Sequence, residues 1–487
     1  MRAPASKRHA APAALSARLA AHATLEARPD GKIIVCFDGH SVGLGELSAG
    51  AADRAQALRT GLPLRALASR RRSVDKEVDG LVRRLARHGL LEYRLGRSRD
   101  GTAQVVIEPQ VPDYWPQTPP LGNSDVLVLS RFAYMRRRGN DMVLESPRAG
   151  ALFKICDARI ATALATLATP QAIKQLRRQD AFPGLELLAL LLDCQILFKL
   201  DPTRDDGPRL AEGDNNLVLW DFHDLLFHAR STEGRHANPL GGVYPYADVM
   251  APLPAVRPRW SGKAVALDEF ASRGQSQPMS AAARLLRERH STRSFDARRP
   301  VTVAELARFL DGTARVQSRF EGRFDDASPA VEYAVRPYPS AGGSYELELY
   351  LAVDACEGLA RGFYHYDAGA HALVPITVPV QGLEAQLRGA QFAMGAPAVP
   401  QILITIAARF GRVSWKYSSI AFSLVLKDAG ALMQTFYLMA TDMGLGGCAI
   451  GIANIDVFAK MTGIDFHVEG PVGQFALGRA APSPSPD

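Results

Sequence analysis

Arg289, Ser291 and Arg293 alternate in the segment RHSTRSF at 289–295, so an extended backbone turns all three to one side. Two guanidiniums and a hydroxyl converging there suit a phosphate and a hydroxylated chain, because arginine grips oxyanions through paired charge-assisted bonds. Taken alone, the run is equally a solvated surface strip. A second segment, WKYSSIAF at 415–422, sets an ammonium and a phenol side by side at Lys416 and Tyr417. Amines and phenols titrate at about 10 in water, so a proton acceptor drawn from this pair requires burial or a neighbouring charge. A nearby ammonium favours a phenolate, desolvation favours a neutral amine, and the choice between them stays open. The plain alternative is a Lys-Tyr pair at a helix start, with both groups reaching out to water.

Two glycine-rich stretches keep company with these residues. RPYPSAGGSYELELY at 336–350 puts a turn directly before a strand, with Ser340, Ala341 and Gly342 where backbone amides come close to a planar ring. GLGGCAIG at 444–451 provides a second close approach through Gly446 and Gly447. It follows a helix, and no GxGxxG opens a βα unit, so a dinucleotide fingerprint is excluded. An Arg/Ser edge with two glycine-rich loops describes a flavin cradle. The elements that must position it alternate in an α+β manner from about 280. AAARLLRER and VTVAELARFLDGT read as helices, and LELYLAV and QILITIAARF as strands. An apolar helix from about 417 to 443 is hydrophobic nearly all round, which requires burial in a core or a subunit interface.

Upstream, SVDKEVDGLVRRLARHGLLEYRL at 73–95 carries Val74, Val78, Leu81, Val82 and Leu85 on one helical stripe, begins at a Ser73 cap and stops at Gly89 before a strand. The grammar returns about 105 residues later: LELLALLLDCQILFKL at 185–200 aligns without gaps on GLVRRLARHGLLEYRL at 80–95. Helix, tight turn and strand resemble the end of a winged-helix domain, present twice in tandem. Arg70, Arg71, Arg72, Arg83, Arg84 and Arg87 raise DNA binding, but the second copy has almost no positive charge on its helix. A peptide reader, in which a wing edge accepts an added strand, is at least as well supported. Proline and glycine thicken between 238 and 278, where the main boundary is placed. His223 and His228, on an amphipathic helix at 218–231, read as packing or capping groups because no acidic or thiol cluster accompanies them.

The 487 residues are 47% hydrophobic and 22% charged, ordinary for a multidomain globular protein. No apolar run approaches the roughly 20 residues of a membrane span, and the first 25 residues lack a secretory core, reading as a loosely ordered Ala-rich leader. Cys36, Cys156, Cys194, Cys356 and Cys448 form no CxxC pair, suggesting neither a disulfide framework nor a metal site and fitting a reducing cytoplasm. A net charge of +7 is modest for this length, so nucleic acid is a weak expectation.

The motifs RHSTRSF, RPYPSAGGSYELELYL, GFYHYDAGAHALVPI, WKYSSIAFSLVLKDAGALMQTFYLMATDMGLGGCAIG and VGQFALG stand in that order across 280–480, extended upstream by LWDFHDLLFHARSTEGRHANPLGGVYP. In this the chain resembles the nitroreductase-like flavin proteins, and within them the azoline dehydrogenases of the SagB/ThcOx/McbC kind. The resemblance implies FMN held noncovalently in a homodimer that exchanges elements. It implies as substrate a ribosomally made peptide whose thiazoline or oxazoline rings, formed by a partner cyclodehydratase, are oxidised to thiazoles or oxazoles. Oxidising such a ring removes a hydrogen from each of two carbons: flavin N5 takes one as hydride, a protein base takes the other as a proton, and dioxygen is the expected final acceptor.

By position, the resemblance assigns Arg289, Ser291 and Arg293 to the flavin phosphate and ribityl chain, Ser340, Ala341 and Gly342 to the ring, and Gly446 and Gly447 to its reactive edge. It puts Arg479 at the phosphate and makes Lys416 and Tyr417 the catalytic pair. Where many SagB-type members have Gly-His, this chain has Gly430-Ala431, so no role for that histidine transfers. The expected layout is a leader at 1–25, winged-helix-like peptide-clamp domains at 26–110 and 111–215, a connecting segment at 216–278 and an FMN domain at 279–482. Alternatives are an NAD(P)H-dependent nitro- or quinone reductase on the same fold, and a flavin-free leader-peptide or DNA-binding protein.

Overall fold

The computed structural model describes residues 13–482, apart from 29–30, 38–39, 69–72, 98–102, 181, 202–211, 213–214, 236–240, 243, 272–278 and 324. Arg70, Arg71 and Arg72 lie outside the described residues. The chain divides into two compact units, Met1–Ala237 and Asn238–Asp487.

The first unit is built from one element order used twice. Strand Ala13–Leu19 is followed by a three-stranded meander (Ala23–Ala27, Lys32–Phe37, His40–Glu46), helix Ala49–Ala55, short strand Leu62–Pro63, helices Arg65–Ala68 and Ser73–Arg87, and strand Leu91–Arg97. The same succession then runs through Val126–Leu129, the meander Tyr134–Arg138, Asp141–Glu145 and Ala151–Ile155, helix Ala158–Thr166, strand Gln171–Ala172, helices Ile173–Leu176 and Leu185–Asp193, and strand Leu197–Leu200. In each copy the opening strand pairs with both the short strand and the closing strand. Helix Ser73–Arg87 buries Val78, Leu81, Val82 and Leu85, and its counterpart buries Leu187, Leu188, Leu190 and Leu191. The 3.6-residue spacing of these positions turns them to one face, and both copies share one core.

Two expectations are corrected here. Residues 13–19, assigned to a loose leader, form a strand with Ala17 fully buried. Its alternating small and apolar residues pair with Leu91–Arg97 over seven positions, and the backbone bonds of that ladder order it. Residues 216–235, assigned to the connecting segment, belong to the first unit: Arg131 donates to the carbonyls of Leu217 and Trp220, and Arg230 meets Glu145 at 2.6 Å. His228 is buried and stacks on Trp220 with centroids 5.8 Å apart, a packing role. Arg83 is paired with Asp79 and Arg87 with Asp113, so these cations do not form an uncompensated stripe.

The second unit centres on a six-stranded antiparallel sheet in the order Ala372–Ile376, Gly362–Asp367, Leu347–Val353, Ile402–Arg409, Glu469–Gly478, Gly446–Ile450. Ile402–Arg409 sits mid-sheet, buried on both faces up to Ala408, which is why it reads as an apolar run interrupted only by Thr405 before Arg409. On one face, helices Val380–Met394 and Ile455–Thr462 pack against Tyr350, Phe363, Leu403 and Ala476. On the other, helix Val303–Ala314 meets the long helix Ala421–Asp442 through Phe309 and Phe436, and Phe436 reaches Phe475 of the sheet. The long helix exposes only Ser423, Lys427, Gly430, Gln434 and Asp442. Among the described residues no helix is long and apolar enough to cross a membrane.

Candidate active site

Lys416 and Tyr417 do not begin the long helix as expected. They follow a separate short helix, Phe410–Ser414, and are linked to Ala421 by a segment in which Ser419 is left-handed (φ 64°). A β-carbon residue in that conformation is held by its surroundings rather than by preference. The break frees the two side chains from helical spacing and lets them fold back over the turn at 340–343. Lys416 Nζ donates to Gly342 O at 3.3 Å and stands 5.4 Å from the Tyr417 ring and 5.6 Å from the Tyr333 ring. The exposed lysine thus bends onto the protein.

Gly342 and Gly343 are both left-handed (φ 58° and 66°). A Cβ on Gly342 would lie 2.8 Å from Lys416 Nζ and overlap Tyr417 Oη. Its left-handed conformation favours glycine there, and a β-carbon would push aside the ends of the two side chains seated on it.

Beneath the turn are two residues that sequence reasoning missed. Asp428, on the long helix, accepts from Ser340 Oγ at 2.9 Å and from Ala341 N at 2.8 Å. Glu346 is wholly buried, 3.3 Å from Ser340 Oγ, and its Oε1 has no hydrogen-bond partner among the described residues. Burial, with the negative charge of Asp428 beside it, pushes the Glu346 carboxyl up to about 7. Asp428 had a visible signal, a carboxylate inside an otherwise apolar helix that needs buried partners. Glu346 had none.

Arg289 and Ser291 face the same side, as alternation predicts, and meet on Tyr437 of the long helix. The Arg289 guanidinium lies 5.1 Å from the Tyr437 ring, and Ser291 Oγ is 2.7 Å from its hydroxyl. Tyr437, a further residue the sequence did not single out, also accepts from Ala449 N at 2.9 Å. Arg293 is exposed, with its charge felt by the Cys448 thiol, which burial nonetheless holds above its ordinary value. Among the described residues neither Arg289 nor Arg293 has a carboxylate partner, and Arg289 is half-buried.

Gly446 and Gly447 are corrected from loop to strand. They begin the edge strand Gly446–Ile450, where a Cβ on Gly446 would sit 2.6 Å from Thr292 Cγ2 and one on Gly447 would overlap Phe475. Thr292 N donates to Gly447 O at 2.8 Å, so the 289–295 segment is tied along this edge. Arg479 pairs with Glu305, its Nη2 2.8 Å from both carboxylate oxygens.

The site therefore presents an amine and a phenol over a glycine turn, a buried carboxylate pair beneath it, and one half-buried and one exposed cation with a hydroxyl at the edge strand. Two family models match, that of the cyanobactin oxidase ThcOx over residues 127–237 and that of the nitroreductase family over 286–479. The "Putative nitroreductase MJ1384" of Methanocaldococcus jannaschii is 30% identical over 167 residues, 34% of this chain and 76% of that protein. The microcin B17-processing protein McbC of Escherichia coli is 30% identical over 125 residues, 24% of this chain and 45% of McbC. In three dimensions a chain of the E. coli microcin synthetase McbBCD complex covers 55% of this chain and 97% of its own, with 19% identity and a TM-score of 0.39. The chain belongs to the nitroreductase family, with the ThcOx/McbC-type members among its relatives. The ThcOx match reaches upstream to residue 127, through the whole second copy of the repeated unit.

Proposed function

We propose that this protein is an FMN-dependent dehydrogenase that oxidises thiazoline or oxazoline rings of a ribosomally made peptide to thiazoles or oxazoles. The observation that carries the reading is the seating of Lys416 Nζ and Tyr417 Oη over the Gly342–Gly343 turn. Its ThcOx- and McbC-type relatives supply the substrate class.

The residues present fit the cofactor. Half-buried Arg289, with Arg293 and Ser291, offers uncompensated donors for a phosphate and ribityl chain, while Ser340, Ala341 and Gly342 offer close backbone for a planar ring. Arg479, neutralised by Glu305, instead ties the C-terminal strand to the start of helix Val303–Ala314. Bound FMN supplies the two-electron acceptor. The chain's own task is the proton: the ring carbon loses it to Tyr417 Oη or Lys416 Nζ, which the turn holds together. Asp428 fixes that turn through Ser340 Oγ and Ala341 N.

A homodimer is part of the proposal. Helix Ala281–Glu288 has no buried residue despite its apolar side chains, and Leu253, Val256 and Trp260 are 92%, 83% and 77% exposed. Apolar surface on this scale marks an interface. The precursor peptide and the cyclodehydratase that supplies its rings are the expected further partners, in the cytoplasm.

The test is incubation of the purified protein with an azoline peptide in air. The expected result is a flavin spectrum and the loss of two hydrogens' mass per ring, with Lys416→Ala and Tyr417→Phe each slowing turnover about 100-fold or more while flavin content holds. Bound flavin with rapid NAD(P)H oxidation and intact rings would instead make the protein a reductase.

A further inference from the structure

Beside the candidate catalytic pair lies a second pocket of about 400 Å³. Tyr333 lines it, and the ring of that residue is 5.6 Å from Lys416 Nζ. Ser344 and Tyr345, which continue the Gly342–Gly343 turn, form another wall. Tyr333 thus joins the pocket to the Lys416 side chain.

Four guanidiniums line it, each from a different segment: Arg319 from strand Ser318–Gly322, Arg336 from the link after strand Val331–Val335, Arg409 from the end of the central strand and Arg412 from helix Phe410–Ser414. The pocket's carboxylates do not close on them. Asp367 accepts from the backbone N–H groups of Gly369 and Ala370, both at 2.9 Å. Glu348 is divided between His365 Nε2 at 3.4 Å and Arg409 Nη1 at 3.7 Å. Arg412 donates to the carbonyls of Ser344 and Glu332, and Arg336 to Leu347 O, with its Nε buried and lacking a partner. Among the described residues no carboxylate oxygen lies closer than 3.7 Å to any of the four. Four cationic donors around one small space, whose one ion pair among the described residues is the long Arg409–Glu348 contact at 3.7 Å, describe a carboxylate receptor, since planar guanidiniums pair with carboxylates in two-bond geometry. The volume admits one or two residues and no more.

We propose that this pocket anchors a carboxylate of the peptide substrate beside the ring being oxidised, either an acidic side chain near the ring or the peptide's C-terminus. The assignment rests on the azoline-peptide reading above, and its test is therefore a binding measurement that needs no turnover. Fluorescently labelled azoline peptides are compared by anisotropy with the full-length FMN-loaded protein: one with Glu at each position flanking the ring in turn, its Gln counterparts, and both with the C-terminus amidated. The expected result is that removing the recognised carboxylate weakens binding about tenfold, the worth of one charge-assisted bond, and that the side-chain and terminal series separate the two sources. Arg409→Gln and Arg319→Gln, the latter on an exposed hairpin outside the core, are expected to erase that discrimination without lowering the melting temperature.

Equal binding of all peptides to the wild type, or discrimination that survives in both variants, overturns the proposal. Discrimination with no ring oxidation keeps the pocket and removes the azoline reading. Ring oxidation with no discrimination does the reverse.

Discussion

At the scale of single residues, Gly342 carries the most specific consequence. Alanine there combines a left-handed backbone penalty of about 1 kcal/mol with a methyl group driven into Tyr417 Oη. Gly342→Ala is expected to lower kcat at least tenfold with a loss of only a few degrees in Tm, read by turnover and calorimetry in parallel. Glu346 gives a pH prediction. Its carboxyl titrates at about 7 when folded against 4.5 when unfolded, so between those values the folded state holds a proton that the unfolded state releases. The stability it contributes is complete below 4.5 and disappears as pH rises through 7. Glu346→Gln should remove this slope, so the Tm of the wild type falls relative to the variant from pH 4.5 to 7. Parallel Tm curves would refute the buried-acid assignment.

At the scale of elements, the decisive feature is where helices start. Helix Val303–Ala314 begins with a capping box in which Thr302 Oγ1 accepts from Glu305 N and Glu305 accepts from Thr302 N at 2.9 Å. The bond from Thr302, and then the Arg479 contact, hold the Glu305 carboxyl below the usual carboxylate range. Thr302→Ala is expected to cost about 1 kcal/mol, measured by denaturant unfolding. The long helix starts late, at Ala421, and that delay lets Lys416 and Tyr417 reach the turn that Asp428 holds from the helix's next stretch. Asp428→Asn keeps the helix but weakens its bonds to Ser340 Oγ and Ala341 N. Its expected signature is a fall in kcat with KM little changed, whereas an equal loss in binding would mean that Asp428 merely holds the fold.

At the scale of the molecule, the proposed homodimer predicts that the exposed Leu253, Val256 and Trp260 are covered in solution. Sedimentation is expected to report a dimer in the FMN-loaded protein, and Leu253→Glu with Trp260→Glu to shift it toward the monomer with loss of flavin. A wild-type monomer that retains its flavin would refute this. The first unit, with its repeated succession of strand, meander and helices, is the part proposed to receive the peptide.

Much of this architecture was legible in the amino-acid order because it is local. The stripe at Val78, Leu81, Val82 and Leu85 and the largely apolar run of 402–408 each declare an element through the pattern of its buried side, and the gapless match of 80–95 with 185–200 declared the repeat. Alternation alone put Arg289 and Ser291 on one side. What local order could not supply was pairing across distance. Glycines read as a loop in 444–451 form a strand because the strand Glu469–Gly478 was there to bond them, and residues 13–19 are ordered by a partner some eighty positions away. Asp428 beneath Ser340, Arg479 against Glu305, and four arginines drawn from four segments around one pocket are relations between side chains far apart in the chain. Sequence specifies such groups singly, while packing decides which of them share a low-dielectric space and thereby what their charges do.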